Sequence, residues 1–177
     1  MRQVLLAFGL VSFLVACGSR PAQPRSEATA AALAGVCGKA CDLRTRCGQA
    51  ADEAACKASC IANPALRKAD IVRPEVLDAA GACIEATSCA DARDGAAVGR
   101  RCMLEAAREV APSPKVVRAC AAFDELVARC GGKTPPACVD RFKAMNDLLV
   151  DEAIECTNAS CRTARVCLNQ LASAMKE

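Results

Sequence analysis

Fifteen cysteines and no histidine in a chain of 177 residues define the chemistry open to this sequence. A thiol can form a disulfide, hold a metal or act as a redox nucleophile, and its spacing tells these uses apart. No Cys-x-x-Cys occurs, so the dithiol redox motif and the common zinc knuckle are both missing, and no histidine is present to complete a mixed site. Neither a metal nor another cofactor is expected. The same lack of histidine leaves Ser26, Ser59, Ser88, Ser113, Ser160 and Ser173 without the usual base, and no glycine-flanked nucleophile elbow appears. Glu152 with Glu155, or Asp91 with Asp94, have a spacing that can share a helix face, but such pairs read as solvated surface rather than as an acid/base couple. Gly131-Gly132-Lys133-Thr134 ends like a phosphate loop without its upstream glycine and strand, and reads as a helix stop followed by the next cap. The chain is not expected to be an enzyme. Cross-linking is the chemistry left for the cysteines.

The N-terminus decides in which compartment they react. Met1-Arg2-Gln3 is a short positive start, and Val4 to Val15 is an apolar run broken only by Gly9 and Ser12. It is shorter than the about twenty residues of a membrane-spanning helix and reads as an export signal. Its end, Leu14-Val15-Ala16-Cys17, resembles the lipobox of bacterial lipoproteins. The resemblance implies a signal peptide over 1–16, cleavage before Cys17, and acylation of Cys17, which then ties the chain to a membrane. Gly18 stands where lipoproteins kept at the inner membrane of diderm bacteria commonly carry aspartate, so the resemblance points to the outer membrane, facing the periplasm or the cell surface. Residues 17–25, with two prolines and two arginines, are expected to be the lipidated end and an extended tether.

An exported chain meets an oxidising environment in which disulfides form and persist. Setting Cys17 aside leaves fourteen cysteines, an even number that permits seven bridges. Their order repeats. Cys37 and Cys47 are spaced like Cys120 and Cys130; Ala55-Cys56 matches Ala137-Cys138; Cys83 and Cys89 match Cys156 and Cys161; Cys102 matches Cys167. The chain therefore reads as two tandem copies of one cysteine-rich helical unit, over 26–111 and 112–177.

Only Cys41 and Cys60 lack a counterpart, their places being taken by Asp124 and Phe142. Cysteines gained or lost together are expected to bond together, which pairs Cys41 with Cys60. In a hairpin turning near 48–52, Cys47 then meets Cys56 and Cys130 meets Cys138. Elimination sends Cys37 to Cys83 and Cys120 to Cys156, leaving Cys89 with Cys102 and Cys161 with Cys167. A rival pairing stands beside this one. Cys37-x3-Cys41 and Cys56-x3-Cys60 resemble the twin Cys-x3-Cys hairpin of the small chaperones of the mitochondrial intermembrane space, and that resemblance implies Cys37 with Cys60 and Cys41 with Cys56. The second copy would then lose one cysteine from each bridge.

Helix signals punctuate the whole chain. Ser26 opens an alanine-rich helix that stops at Cys47-Gly48; a second is expected over 52–62, a third from Pro74 to Thr87 and a fourth over 96–110. Ser113-Pro114 starts a fifth that ends at Cys130-Gly131-Gly132, Thr134-Pro135 is expected to start the next, and a last one spans 162–175. No period-two stretch is long enough for a sheet, so the fold class is all-α, a disulfide-stapled bundle. Alanine buries little area, at about 25 cal/mol per Å², so the bridges are expected to take over what packing cannot supply.

Charge and aromatic content narrow the partners. Lysine, arginine, aspartate and glutamate are interspersed and the net charge is +3, without the one-sided basic surface that nucleic acid requires. Once Phe8 and Phe13 leave with the signal, Phe123 and Phe142 are the remaining aromatic residues, too few for a sugar-stacking platform and expected in the core. Val72, Val76 and Leu77, and likewise Leu148, Leu149 and Val150, also read as core. Lipobox, tether and tandem units together resemble the cysteine-rich lipoproteins of myxobacteria and their relatives, a group that brings no catalytic residues. The expected function is a membrane-anchored envelope lipoprotein serving as a structural or protein-interaction module, with other envelope proteins as partners. The alternative is a chaperone-like or small apolar ligand carrier with a groove between the two copies.

Overall fold

Helix starts follow the capping chemistry written in the sequence. In the computed structural model, which describes residues 26–50, 52–63, 71–134 and 136–174, the Ser26 hydroxyl accepts the Thr29 N–H at 3.1 Å and opens α1, Glu27–Arg46. Asp52 does the same for Ala55 and α2, Glu53–Ile61; Pro74 occupies the first turn of α3, Pro74–Ala86; Asp94 caps α4, Gly95–Glu109, through Ala97. Ser113 caps α5, Pro114–Cys130, and Asn146 caps α7, Asp147–Thr157. A short α6, Cys138–Phe142, and a last α8, Cys161–Ala174, complete eight helices among the described residues. The fold is an all-α, disulfide-stapled bundle, with no strand in the described part beyond one isolated bridge. The expected signal peptide 1–16, Cys17 and the tether to residue 25 lie outside the described residues.

One expected start is corrected. Thr134 is not a cap: its hydroxyl bonds the Asp124 carboxylate, and α6 begins four residues later behind Ala137, which adopts φ 54° in the left-handed region. That region costs a residue with a Cβ about 1–2 kcal/mol, so the chain bends there because Cys138 is held from outside, not because alanine favours it. The chain then breaks over 143–146 before Asn146 caps α7.

The helices form two successive groups. α1 packs on α2 and α3, and α3 on α4; α5 packs on α6 and α7, and α7 on α8. The cores are thin. Among the described residues, 21 hydrophobic side chains are buried, and alanines and cysteines make up most of them. The larger ones gather in the first group, where Leu43, Val76, Ile84 and Val98 form one cluster and Leu33 with Leu77 another. The second group has a smaller cluster around Val116, Ala119 and Val150. Of the two triplets expected in the core, Val76, Leu77 and Val150 are buried, Val72 and Leu149 are half-buried, and Leu148 is exposed.

The two groups meet by a local twofold. Val72 and Met145, each eleven residues before the matching cysteines Cys83 and Cys156, face each other in an antiparallel bridge. The Arg73 N–H donates to Ala144 O at 3.0 Å, and the Asn146 N–H donates to Ile71 O at 2.8 Å. Exchanging the copies converts one bond into the other, as in an isologous dimer contact. Around it, the Arg73 guanidinium donates to Ala111 O and Lys143 O, and the Lys143 ammonium donates to Arg108 O in the last turn of α4, where carbonyls lack helical partners.

Candidate functional site

A Cys-x3-Cys pair lies on one helix face, one turn apart, so two such helices in an antiparallel hairpin join outer with outer and inner with inner. The structure has this arrangement: Cys37 bonds Cys60, and Cys41 bonds Cys56, between α1 and α2. The expected bridges Cys41–Cys60 and Cys47–Cys56 are replaced. The reason is register. α1 ends at Arg46 and α2 starts at Glu53, which leaves Cys47 at the helix end, turned toward the third helix, where it bonds Cys89. Cys83 therefore does not reach Cys37, and it bonds Cys102 across α3 and α4, so Cys37–Cys83 and Cys89–Cys102 are replaced as well.

The second copy repeats this logic with one bridge fewer. Cys130 bonds Cys161 as Cys47 bonds Cys89, and Cys156 bonds Cys167 as Cys83 bonds Cys102. Cys130–Cys138, Cys120–Cys156 and Cys161–Cys167 are thus not the pairs formed. With Asp124 and Phe142 in place of Cys41 and Cys60, one cysteine is left on each helix of the hairpin, and these two, Cys120 and Cys138, bond to each other. Joint loss of two cysteines accordingly marks two different bridges that re-paired into one.

The bridges Cys47–Cys89 and Cys130–Cys161 each start from the same tripeptide, Arg46-Cys47-Gly48 and Arg129-Cys130-Gly131. The arginine reaches the C-terminal end of the third helix of its copy. Arg46 donates to the Glu85 and Thr87 carbonyls at 3.1 and 3.3 Å, and Arg129 to those of Thr157 and Ala159 at 2.7 and 3.0 Å. The glycines, at φ 70° and 73°, take the left-handed turn that ends the first helix of each copy. Arginine, bridge and glycine together fix where the first and third helices meet. Their repetition is the sequence signal that marks the two junctions.

Several of the other candidate residues serve the scaffold. Ser26 and Ser113 cap helices, Ser88 donates to Asp91, Asp94 caps α4, and Ser160 accepts the Thr163 N–H at the start of α8. Asp91 and Asp94 are each engaged by their own turn. The donor atoms of Cys83, Cys102 and Glu105 lie within 4.8 Å of one another, but the two sulfurs are bonded together and present no thiolate to a cation. On α2, Lys57 contacts Glu53 of its own helix and Asp42 of α1. Its pKa is raised, chiefly by the hydrogen bond that the ammonium donates to the Glu53 carboxylate.

An apolar cavity of about 310 Å³ lies within the second copy, between α5, α6, α7 and α8, and not in a groove between the copies. Phe123 and Phe142, expected in the core, form its wall, half-buried and stacked with ring centroids 5.9 Å apart. Leu126, Met145 and Leu168 extend the apolar lining, and Lys133, the residue after Gly131-Gly132, stands at its edge. In the first copy the corresponding level is more deeply buried at two positions. Leu43, Ala80 and Ala106, counterparts of Leu126, Ala153 and Leu171, are all buried within one cluster, whereas Leu126 and Leu171 are only half-buried. Comparison with protein-family models, with curated proteins and with solved structures gives no match for this chain.

Proposed function

We propose that this chain is a membrane-anchored, disulfide-rich lipoprotein of the bacterial envelope, a non-enzymatic module that holds a structural or protein-contact surface at the outer membrane. One observation carries the reading. The fourteen cysteines that follow the lipobox-like segment pair among themselves in seven bridges, so none is left to bond Cys17. A chain that closes seven disulfides belongs in an oxidising compartment, and an export signal ending in a cysteine with no thiol partner fits a residue set aside for acylation. The bridged body supports a presenting role, since its helices keep their places without a large apolar core.

Expression with labelled palmitate in a diderm host tests this. Wild type should take up label and partition with membranes, and Cys17→Ser should do neither while keeping its seven bridges. Unlabelled, soluble wild type would count against the anchor. Crosslinking in the native envelope should then recover a protein partner of the body.

A second reading, a carrier of small apolar ligands, is supported by the cavity of the second copy, whose volume reaches the lower end of the about 300–1,000 Å³ common for ligand sites.

A further inference from the structure

We propose that the cavity of the second copy binds a single-chain fatty acid, with the hydrocarbon between α5, α7 and α8 and the carboxylate at Lys133. The inference rests on the carrier reading and gives it a ligand. Three observations converge on this occupant. The lining is almost wholly apolar, with Phe123, Leu126, Phe142 and Leu168 among its walls, which suits a hydrocarbon chain. Its volume of about 310 Å³ is small, which suits one chain rather than two. The charged side chain in the lining is Lys133, exposed, with no carboxylate partner among the described residues.

The first copy gives an internal comparison. Where Lys133 stands in the second copy the first has Ala50, and Leu43 and Ala106 are buried where Leu126 and Leu171 are half-buried. The Gly131-Gly132 turn, at φ 73° and 126°, is what brings Lys133 back over the cavity edge after α5. One cation and no further polar group in the lining match a simple carboxylate better than a larger polar head. An ammonium beside an apolar slot holds the acid as its anion, and no proton or bond needs to move for binding.

The test uses the full chain carrying Cys17→Ser, so that no anchor competes, with its disulfides intact. Titration calorimetry is run with dodecanoate, dodecanol and lysophosphatidylglycerol. Dodecanoate should bind at one saturable site, Lys133→Glu should weaken it about fivefold while leaving dodecanol unchanged, and Ala153→Phe should weaken both by about tenfold or more. Should Ala153→Phe lose helicity or scramble its bridges, Ala172→Phe on the outer wall blocks the same space and should give the same loss. Equal binding of dodecanol and dodecanoate, indifferent to Lys133→Glu but lost on blocking, overturns the fatty acid and keeps the carrier. Tighter binding of the lysolipid than of dodecanoate also overturns the fatty acid. No binding of any probe, or binding that survives both blocking variants, overturns the site and the carrier reading together.

Discussion

The ring of Phe142 stacks on that of Phe123, 5.9 Å between centroids and 25° between planes, at the place where the first copy has Cys60 bonded to Cys37. A covalent staple between the first two helices of one copy is matched in the other by an aromatic contact beside the remaining bridge Cys120–Cys138. An aromatic pair contributes about 0.5–1.5 kcal/mol beyond its burial, less than the about 2–4 kcal/mol of a disulfide. The second hairpin is therefore the softer one, and it borders the cavity.

Phe142→Ala should destabilise the chain by about 1–2 kcal/mol, the ring being only half-buried. Urea unfolding checks this. A change below the noise of the measurement would mean that the stack is incidental.

The pairing itself is open to direct mapping. Peptides recovered without reduction should join Cys37 to Cys60 and Cys41 to Cys56, and in the second copy Cys120 to Cys138. Removing Cys47 and Cys89 together by alanine, which opens the longest loop of 42 residues, should cost about 2–4 kcal/mol, at least as much as removing Cys156 with Cys167. The reverse order would contradict the role given to the Arg-Cys-Gly junction.

Much of this was legible in the sequence because helix ends are local. Ser26, Asp52, Pro74, Asp94 and Ser113 mark their helices through groups within three or four residues, and the expected boundaries agree with the observed ones to within a residue or two. Thr134 misled because a hydroxyl can also be taken by a carboxylate outside its own turn, here Asp124. The bridges were not legible in the same way. Spacing tells which face of a helix a cysteine occupies, but pairing depends on where the hairpin turns, and a shift of one turn moved Cys47 from Cys56 to Cys89. The repeat was visible, yet the rule drawn from it for Cys41 and Cys60 assumed that a lost bridge leaves the others unchanged. The cavity depends on how far α8 stands from α5, a distance no local pattern encodes.

Arg46→Ala and Arg129→Ala remove the same interaction from each copy, two hydrogen bonds from a guanidinium to the carbonyl end of α3 or α7. Each should cost about 1–2 kcal/mol, with nearly additive loss in the double variant because the sites lie in separate copies. Strong non-additivity would show that the two junctions are energetically coupled.

The twofold contact makes a separate prediction. Amide exchange should be slow at Arg73 and Asn146 alike, since their N–H groups form the symmetric pair. Arg73→Ala, which removes the bonds to Ala111 O and Lys143 O, should speed exchange at the Asn146 amide by about tenfold, or about 1.4 kcal/mol of local opening. Unchanged exchange there would separate the guanidinium from the docking of the copies.

Sulfur bridges, rather than apolar burial, hold the eight helices of the described residues together. Thermal unfolding followed by circular dichroism, with and without a phosphine reductant, tests it most directly. The reduced chain should lose most of its helicity and its cooperative transition; a fully reduced chain that kept both, at the same Tm, would contradict the account.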